Sequence, residues 1–223
     1  MDQTPGEHPT PSHQNNPVHH HKPVHHQEHS DVWRFGAELI RTALAVVVLA
    51  YVIRLFILQP FVVEGSSMYP RFQTNDFLIV DKLSYRIGQP ERGDIIVFKY
   101  PYDLETNYVK RVIGLPGDTV KIEDGKVTVI NDENPTGITL DEQYVSSGNT
   151  TTLPAASAKN EFTVPEGNYF VLGDNRRASS DSREWGFLPK EDVIGRVFVQ
   201  AYPFDRASWV NHARYDDGTQ SED

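Results

Sequence analysis

The sequence predicts a mainly β protein, with antiparallel sheets and coiled excursions following one N-terminal transmembrane helix. Three observations carry that reading. The 20-residue stretch Leu39–Leu58 is apolar, and at about 30 Å as a helix it matches a bilayer core. Beyond Pro60 the chain breaks into short runs rich in Val, Ile, Phe and Tyr, bounded by turn residues, with no helical period of useful length. Asp124-Gly125 then joins two alternating runs, a two-residue hairpin signal.

Taken in order, residues 1–30 hold eight of the nine histidines and five prolines without apolar periodicity, so a disordered tail is expected. Clustered histidines can bind metal, but nothing nearby supplies a rigid ligand geometry, and a solvated tail is the preferred reading. Residues 31–59 read as the membrane-anchoring helix. Their uninterrupted apolar part, Ala43–Ile53, is short and is closed by Arg54, so a buried helix of a soluble protein is the competing reading. Against it, the later segments read as strands and cannot surround a helix that is apolar all round. Arg54 lies near one end, where its side chain can snorkel to the headgroups. The long segment before the apolar run argues against a cleaved secretory signal. Arg34 and Arg41 at the start of the span place the N-terminus in the cytoplasm and the large domain outside. The expected location is the cytoplasmic (inner) membrane, crossed once, or a thylakoid membrane in a source that has one.

Residues 60–210 form the extracytoplasmic β domain, with strands expected at 61–65, 76–83, 94–100, 108–115, 119–124, 126–130, 168–173 and 193–202. Residues 131–163, rich in Asn, Thr, Ser and Ala, read as a loop-rich insertion, and 211–223 as a flexible acidic tail.

Composition excludes several chemistries. Without cysteine there is no disulfide, thiol nucleophile or Cys-ligated metal. The net charge of −10, from 21 basic and 31 acidic residues, argues against a nucleic-acid partner. Outside the tail His212 is the one histidine, poorly placed past the last expected strand, so a Ser-His-Asp hydrolase or a histidine metal site is disfavoured. No cofactor and no metal are expected. An enzyme built from what remains would use a lysine or a carboxylate as its base.

Three segments carry candidate chemistry. Gly65-Ser66-Ser67-Met68-Tyr69-Pro70 is a small-residue turn that can expose a hydroxyl and free backbone N–H groups for an oxyanion. In Tyr108-Val109-Lys110-Arg111 the two-residue period sets Lys110 opposite Val109 and Arg111, so one basic side chain can point inward while the other meets solvent or a carboxylate. Residues 173–186 form a dense polar loop directly after an apolar strand.

These blocks in this order (SSMYP, RGDIIVF, YVKRVIGLPGD and GDNRRASSDSREWGF), behind one amino-terminal span, resemble bacterial type I signal peptidases across residues 39–202. The resemblance implies a membrane-bound serine endopeptidase that removes signal peptides from exported preproteins, cutting after small residues of the Ala-x-Ala type. It implies Ser67 as nucleophile and Lys110 as general base, Ser179 as a hydrogen-bond partner of that lysine, and Asp181, Arg183 and Arg111 as a supporting charged network. The lipid bilayer and protein-export machinery are implied partners. A free lysine has a pKa of about 10.4, so only about one in a thousand is neutral near pH 7.4, and burial is what lowers it. Here the position that carries a serine hydroxyl in many Gram-negative members is Gly65, so a second oxyanion donor must come from elsewhere. Arg71, Arg177 and Ala178 also depart from the family pattern. For an extended peptide added to an edge strand, the expected walls are Phe61, Val63, Gly65, Met68, Phe72, Tyr108 and Val109, each of which also reads as ordinary core.

Two other readings compete. A self-cleaving Ser–Lys protein of the SOS-repressor type would need a DNA-binding or intramolecular cleavage segment and no span. A catalytically silent, membrane-anchored β domain could bind secreted peptides or translocation machinery.

Overall fold

A computed structural model describes residues 28–155, 159–215 and 220–222. The reading of the histidine-rich tail falls outside them up to residue 27. Helix α1 spans Glu28–Phe56, and its stretch Trp33–Val52 is long and apolar enough to cross a membrane, with none of it buried against the chain. An exposed apolar surface of this length is what a lipid-facing helix presents.

The strands of the following domain are β1 (Leu58–Val62), β2 (Phe77–Asp81), β3 (Ile95–Tyr100), β4 (Asp103–Gly114), β5 (Thr119–Glu123), β6 (Lys126–Ile130), β7 (Ile138–Thr139), β8 (Glu161–Thr163), β9 (Asn168–Leu172), β10 (Leu188–Pro189), β11 (Val193–Tyr202), β12 (Ser208–Trp209), β13 (Ala213–Tyr215) and β14 (Gln220–Glu222). Single-turn helices α2 (Ser84–Ile87) and α3 (Ser182–Trp185) interrupt them. All pairings among the described residues are antiparallel. A large sheet runs β1-β2-β11-β3-β4-β9-β10 with β12 on β11, and a smaller one runs β7-β6-β5-β8.

The strand alternation sorts side chains to two faces of the large sheet. Ile95 and Val97 join a core with Met68, Phe72, Val80 and Val197, whereas Ile96 and Phe98 join another with Val112, Val171, Trp185 and Leu188. A third core, under the small sheet, holds Ile113, Val120, Val127 and Phe170. Asp124 and Gly125 both take positive φ, +51° and +77°, as the hairpin between β5 and β6 requires.

Strands 126–130 and 193–202 fall on their expected bounds; the others shift. The first strand starts at Leu58, inside the expected span, and β4 starts at Asp103, five residues early, because its first half pairs with β3 around the turn at Tyr100. The segment 131–163 is more than a loop, since β7 and β8 close the two sides of the smaller sheet. The tail at 211–223 is corrected at its beginning: His212 and Ala213 are buried, packed where the chain returns over Gly93.

Phe72 is fully buried among Met68, Val80 and Val97. Phe72→Ala is expected to lower unfolding free energy by about 3–5 kcal/mol, read from denaturant titration of the domain's tryptophan fluorescence.

Candidate active site

The turn after β1 is pinned before it reaches Ser67. Val63 N–H donates to Asp76 O and Asn75 N–H to Val63 O, both at 2.9 Å, while the Thr74 hydroxyl bridges Gly65 N–H and Gly65 O at 3.2 and 3.1 Å. Downstream, Met68 and Phe72 are sunk in the core and Phe72 N–H bonds Met68 O. Ser67 therefore sits on a short arch whose two feet are fixed.

Asn175 holds that arch from the opposite side. Its N–H donates to Ser67 O at 2.9 Å and its Nδ2 to Ser66 O at 3.0 Å. It can do so because β9 ends at Leu172 and the chain then passes extremely close. A Cβ on Gly173 would lie 2.2 Å from Ser179 Oγ and 2.4 Å from Ser67 O, so only glycine fits.

Lys110, on β4, is 3% exposed, and its Nζ lies 2.9 Å from Ser67 Oγ and 3.0 Å from Val109 O. The Tyr108 ring, two residues back on the same strand face, stands 4.8 Å from Nζ. Burial lowers the lysine pKa from 10.5 to about 8, with Asp181 and Asp174 pulling it partly back up. Among the described residues no carboxylate contacts the amine, and that permits the shift.

Arg111 points to the opposite face and is also buried, where it meets a carboxylate. Its Nε and Nη2 form a bidentate pair with Asp174 at 2.9 and 2.7 Å, and Nη1 donates to Gly93 O at 2.9 Å. Arg183 forks onto Asp181 in the same way, at 2.7 Å for both bonds, while the second oxygen of Asp181 also accepts Gly173 N–H at 3.1 Å. Arg183 ties in Thr152 O and Arg176 O, and the buried Arg176 clamps Glu142. Arg111, Asp181 and Arg183 thus form charged pairs around the loop behind Ser67, while the lysine's own bonds go to Ser67 and Val109.

Ser179 departs from expectation. Its Oγ is buried without a hydrogen-bond partner, against Gly173, while the lysine's bonds go to Ser67 and Val109. Several expected walls also move. Phe61, Val63 and Val109 do line one cavity of about 300 Å³, with Leu78 and Val97 beneath them. Met68 and Phe72 do not, because they point into the core as the feet of the arch. Tyr108 stacks on Tyr100 at 4.7 Å and faces Lys110, and Gly65 is exposed, outside the cavity lining.

Residues not singled out from sequence prove central. Gly173, Asp174 and Asn175 stood in the polar loop and their adjacency to an apolar strand was the available signal. Glu142 and Tyr144 had none, lying in the segment read as an insertion; in the same segment Asn149 bonds Asp174 O and Arg177 N–H, and the Tyr144 ring lies 3.8 Å from the Arg111 guanidinium.

A family model described as signal peptidase, peptidase S26, matches residues 36–202. The probable signal peptidase I-2 of Synechocystis is 41% identical over 174 residues, covering 76% of this chain and 74% of that protein. The probable signal peptidase I-1 of the same organism is 39% identical over 181 residues, covering 78% and 86%. Signal peptidase I of Pseudomonas fluorescens is 32% identical over 193 residues, covering 69% and 68%.

Because the folded lysine binds its proton less tightly than the unfolded one, stability rises with pH between about 8 and 10.5, and below about 8 the buried ammonium is a full cost. Lys110→Met is therefore expected to stabilise the domain at pH 7 by roughly 3 kcal/mol, with the gain vanishing above the unfolded pKa; denaturation at pH 7 and 11 measures it. Gly173→Ala is expected to displace the arch and lower kcat by about a hundredfold, measured by steady-state cleavage of a peptide substrate.

Proposed function

The chain belongs to the signal peptidase family, peptidase S26, and we propose that Ser67 and Lys110 are the nucleophile and general base with which it removes N-terminal signal peptides from exported preproteins. The observation that carries the assignment is the 2.9 Å contact between Lys110 Nζ and Ser67 Oγ, made by a buried amine whose pKa is lowered to about 8. It is a serine endopeptidase, a hydrolase, and a membrane protein with one apolar helix near its N-terminus.

In the first step neutral Lys110 accepts the Ser67 hydroxyl proton as Oγ bonds to the carbonyl carbon of the scissile peptide, leaving a tetrahedral oxyanion. Ser67 N–H is the donor closest in the chain to the attacking Oγ, while Gly65 N–H is taken by Thr74 and Tyr69 N–H by Ser66 O. Collapse breaks the C–N bond, and Lys110 returns its proton to the departing amine of the mature chain. Water then attacks the acyl ester with Lys110 again taking a proton, which releases the signal peptide with a new carboxylate and restores Ser67.

The peptide's seat follows from unpaired strand edges. Strand β1 pairs with β2 on one side only, and β4 before Lys110 pairs with β3 only, because β9 begins its pairing at Arg111. The cavity of about 300 Å³ lies between these edges, lined by Phe61–Glu64 from one and by Thr106, Asn107 and Val109 from the other. An extended substrate can take main-chain bonds from either edge while a small side chain enters the cavity, which supports the Ala-x-Ala preference. The N-terminal positive charges support a cytoplasmic N-terminus with the catalytic domain on the far side. The bilayer and the export machinery are the partners this arrangement serves.

Ser67→Ala and Lys110→Ala are each expected to abolish cleavage of a preprotein by the full chain in lipid vesicles while the domain stays folded; cleavage by either overturns the dyad. In the wild type kcat/KM should rise with pH through about 8 as Lys110 loses its proton. Phe61→Ala, which widens the cavity, should improve cleavage of a Leu-x-Leu site relative to Ala-x-Ala by about tenfold, compared by competition between the two peptides.

A further inference from the structure

The segment Val210–Tyr215 is placed like a strap across the start of β3. Val210 is seated in the core with Phe72 and Val197. Three residues on, the strap crosses Gly93 so closely that a Cβ there would lie 1.7 Å from Ala213 O. Between these points His212 is buried. Its Nδ1 accepts Ile95 N–H at 3.0 Å, so the ring proton sits on Nε2, which donates to Val197 O at 3.0 Å. Burial and the nearby Arg196 and Arg111 guanidinium groups lower its pKa to about 4, against the pull of Asp94 at 3.4 Å. The ring thus stays neutral, and this bonding pattern holds wherever Lys110 is neutral enough to work.

The far end of the strap reaches the same neighbourhood by another route. Tyr215 Oη donates to Tyr144 Oη at 2.7 Å, Tyr144 Oη donates on to Glu142, and the Tyr144 ring covers the Arg111 guanidinium at 3.8 Å. Arg111 is therefore held from two sides by groups that rest on the strap: Gly93 O, which it bonds, and the Tyr144 ring. Its other nitrogens grip Asp174, and the next residue, Asn175, holds the carbonyls of Ser66 and Ser67. A guanidinium bonded through all three of its nitrogens moves with its carboxylate, so a shift of Gly93 or Tyr144 passes to the arch that carries the nucleophile.

We propose that the strap Val210–Tyr215 is a positioning element of the catalytic centre, in which His212 and Tyr215 act through Arg111 and Asp174 on the turn that presents Ser67. The inference rests on the Ser67–Lys110 assignment. Neither residue touches the reacting atoms, so both set the geometry of the dyad and leave substrate binding alone.

The test measures kcat and KM for a preprotein with the full chain in lipid vesicles, well below each variant's Tm. Tyr215→Phe should lower kcat by about fivefold with KM unchanged. His212→Ala should lower it further, and His212→Asn, which keeps an acceptor where Nδ1 stands, should recover much of that loss. A wild-type kcat in Tyr215→Phe, or a loss confined to KM or to Tm, overturns the proposal, and if His212→Ala does not fold Tyr215→Phe decides alone. Ser67→Ala and Lys110→Ala run in parallel separate the two readings. Cleavage by either removes the dyad itself, whereas two inactive dyad variants beside fully active strap variants remove only the strap's role.

Discussion

A buried amine with no carboxylate of its own is the constraint from which the rest of this domain follows. Leaving an ammonium dry costs stability, and proteins ordinarily answer with an ion pair. Here the nearby carboxylates are already committed. Asp174 is gripped by Arg111, Asp181 by Arg183 and Glu142 by Arg176, each through a two-pronged contact. Three arginines absorb three acids, and Lys110 is left with a hydroxyl and a carbonyl. The acids still act at a distance, since Asp181 and Asp174 raise the lysine's proton affinity, but desolvation is the larger effect.

The same arginine forks brace the catalytic loop. They join segments that are far apart in the chain: β4 through Arg111, the polar loop through Asp174, Arg176 and Asp181, and the 131–163 segment through Glu142 and Thr152. Rigidity matters because the reacting pair is one short contact, and small misplacement of a nucleophile is costly in rate. An arginine suits this task better than a lysine would, as its planar fork fixes direction as well as distance.

How much of this was legible in the sequence depended on whether a residue's role lay in local pattern or in long-range contact. The span, the hairpin at Asp124-Gly125 and the strands 126–130 and 193–202 are written in periodicity and turn chemistry, which are local. The serine and lysine segments were legible as motifs, and the structure brings them within 2.9 Å. Met68 and Phe72 could be read both ways, because an apolar residue beside a nucleophile looks the same whether it faces a substrate or the core; their packing with Val80 and Val97 is a long-range contact. Ser179 looked like a partner for the lysine, yet the close pass of Gly173 sets it against the loop backbone. Tyr144 and Glu142 were invisible, since their importance comes from Arg111 and Arg176, distant in sequence, and their own segment carries no period.

The pairing of β4 with β3 also decides which proton chemistry the enzyme has. Lys110 stands opposite Ile96 and Arg111 opposite Ile95, on alternate faces. A slip of one residue would exchange them, turning a guanidinium toward the serine and the amine toward Asp174. A guanidinium keeps its proton throughout the range in which proteins work, so the slipped domain would hold the same residues and hydrophobic content with no base at all. The neighbours Val109, Val112 and Ile113 are apolar on both faces and would register the exchange only weakly. Selection between catalyst and inert cation therefore falls to the ladder's alignment, and the bidentate Arg111–Asp174 pair, which an amine cannot reproduce, serves as its proofreading contact.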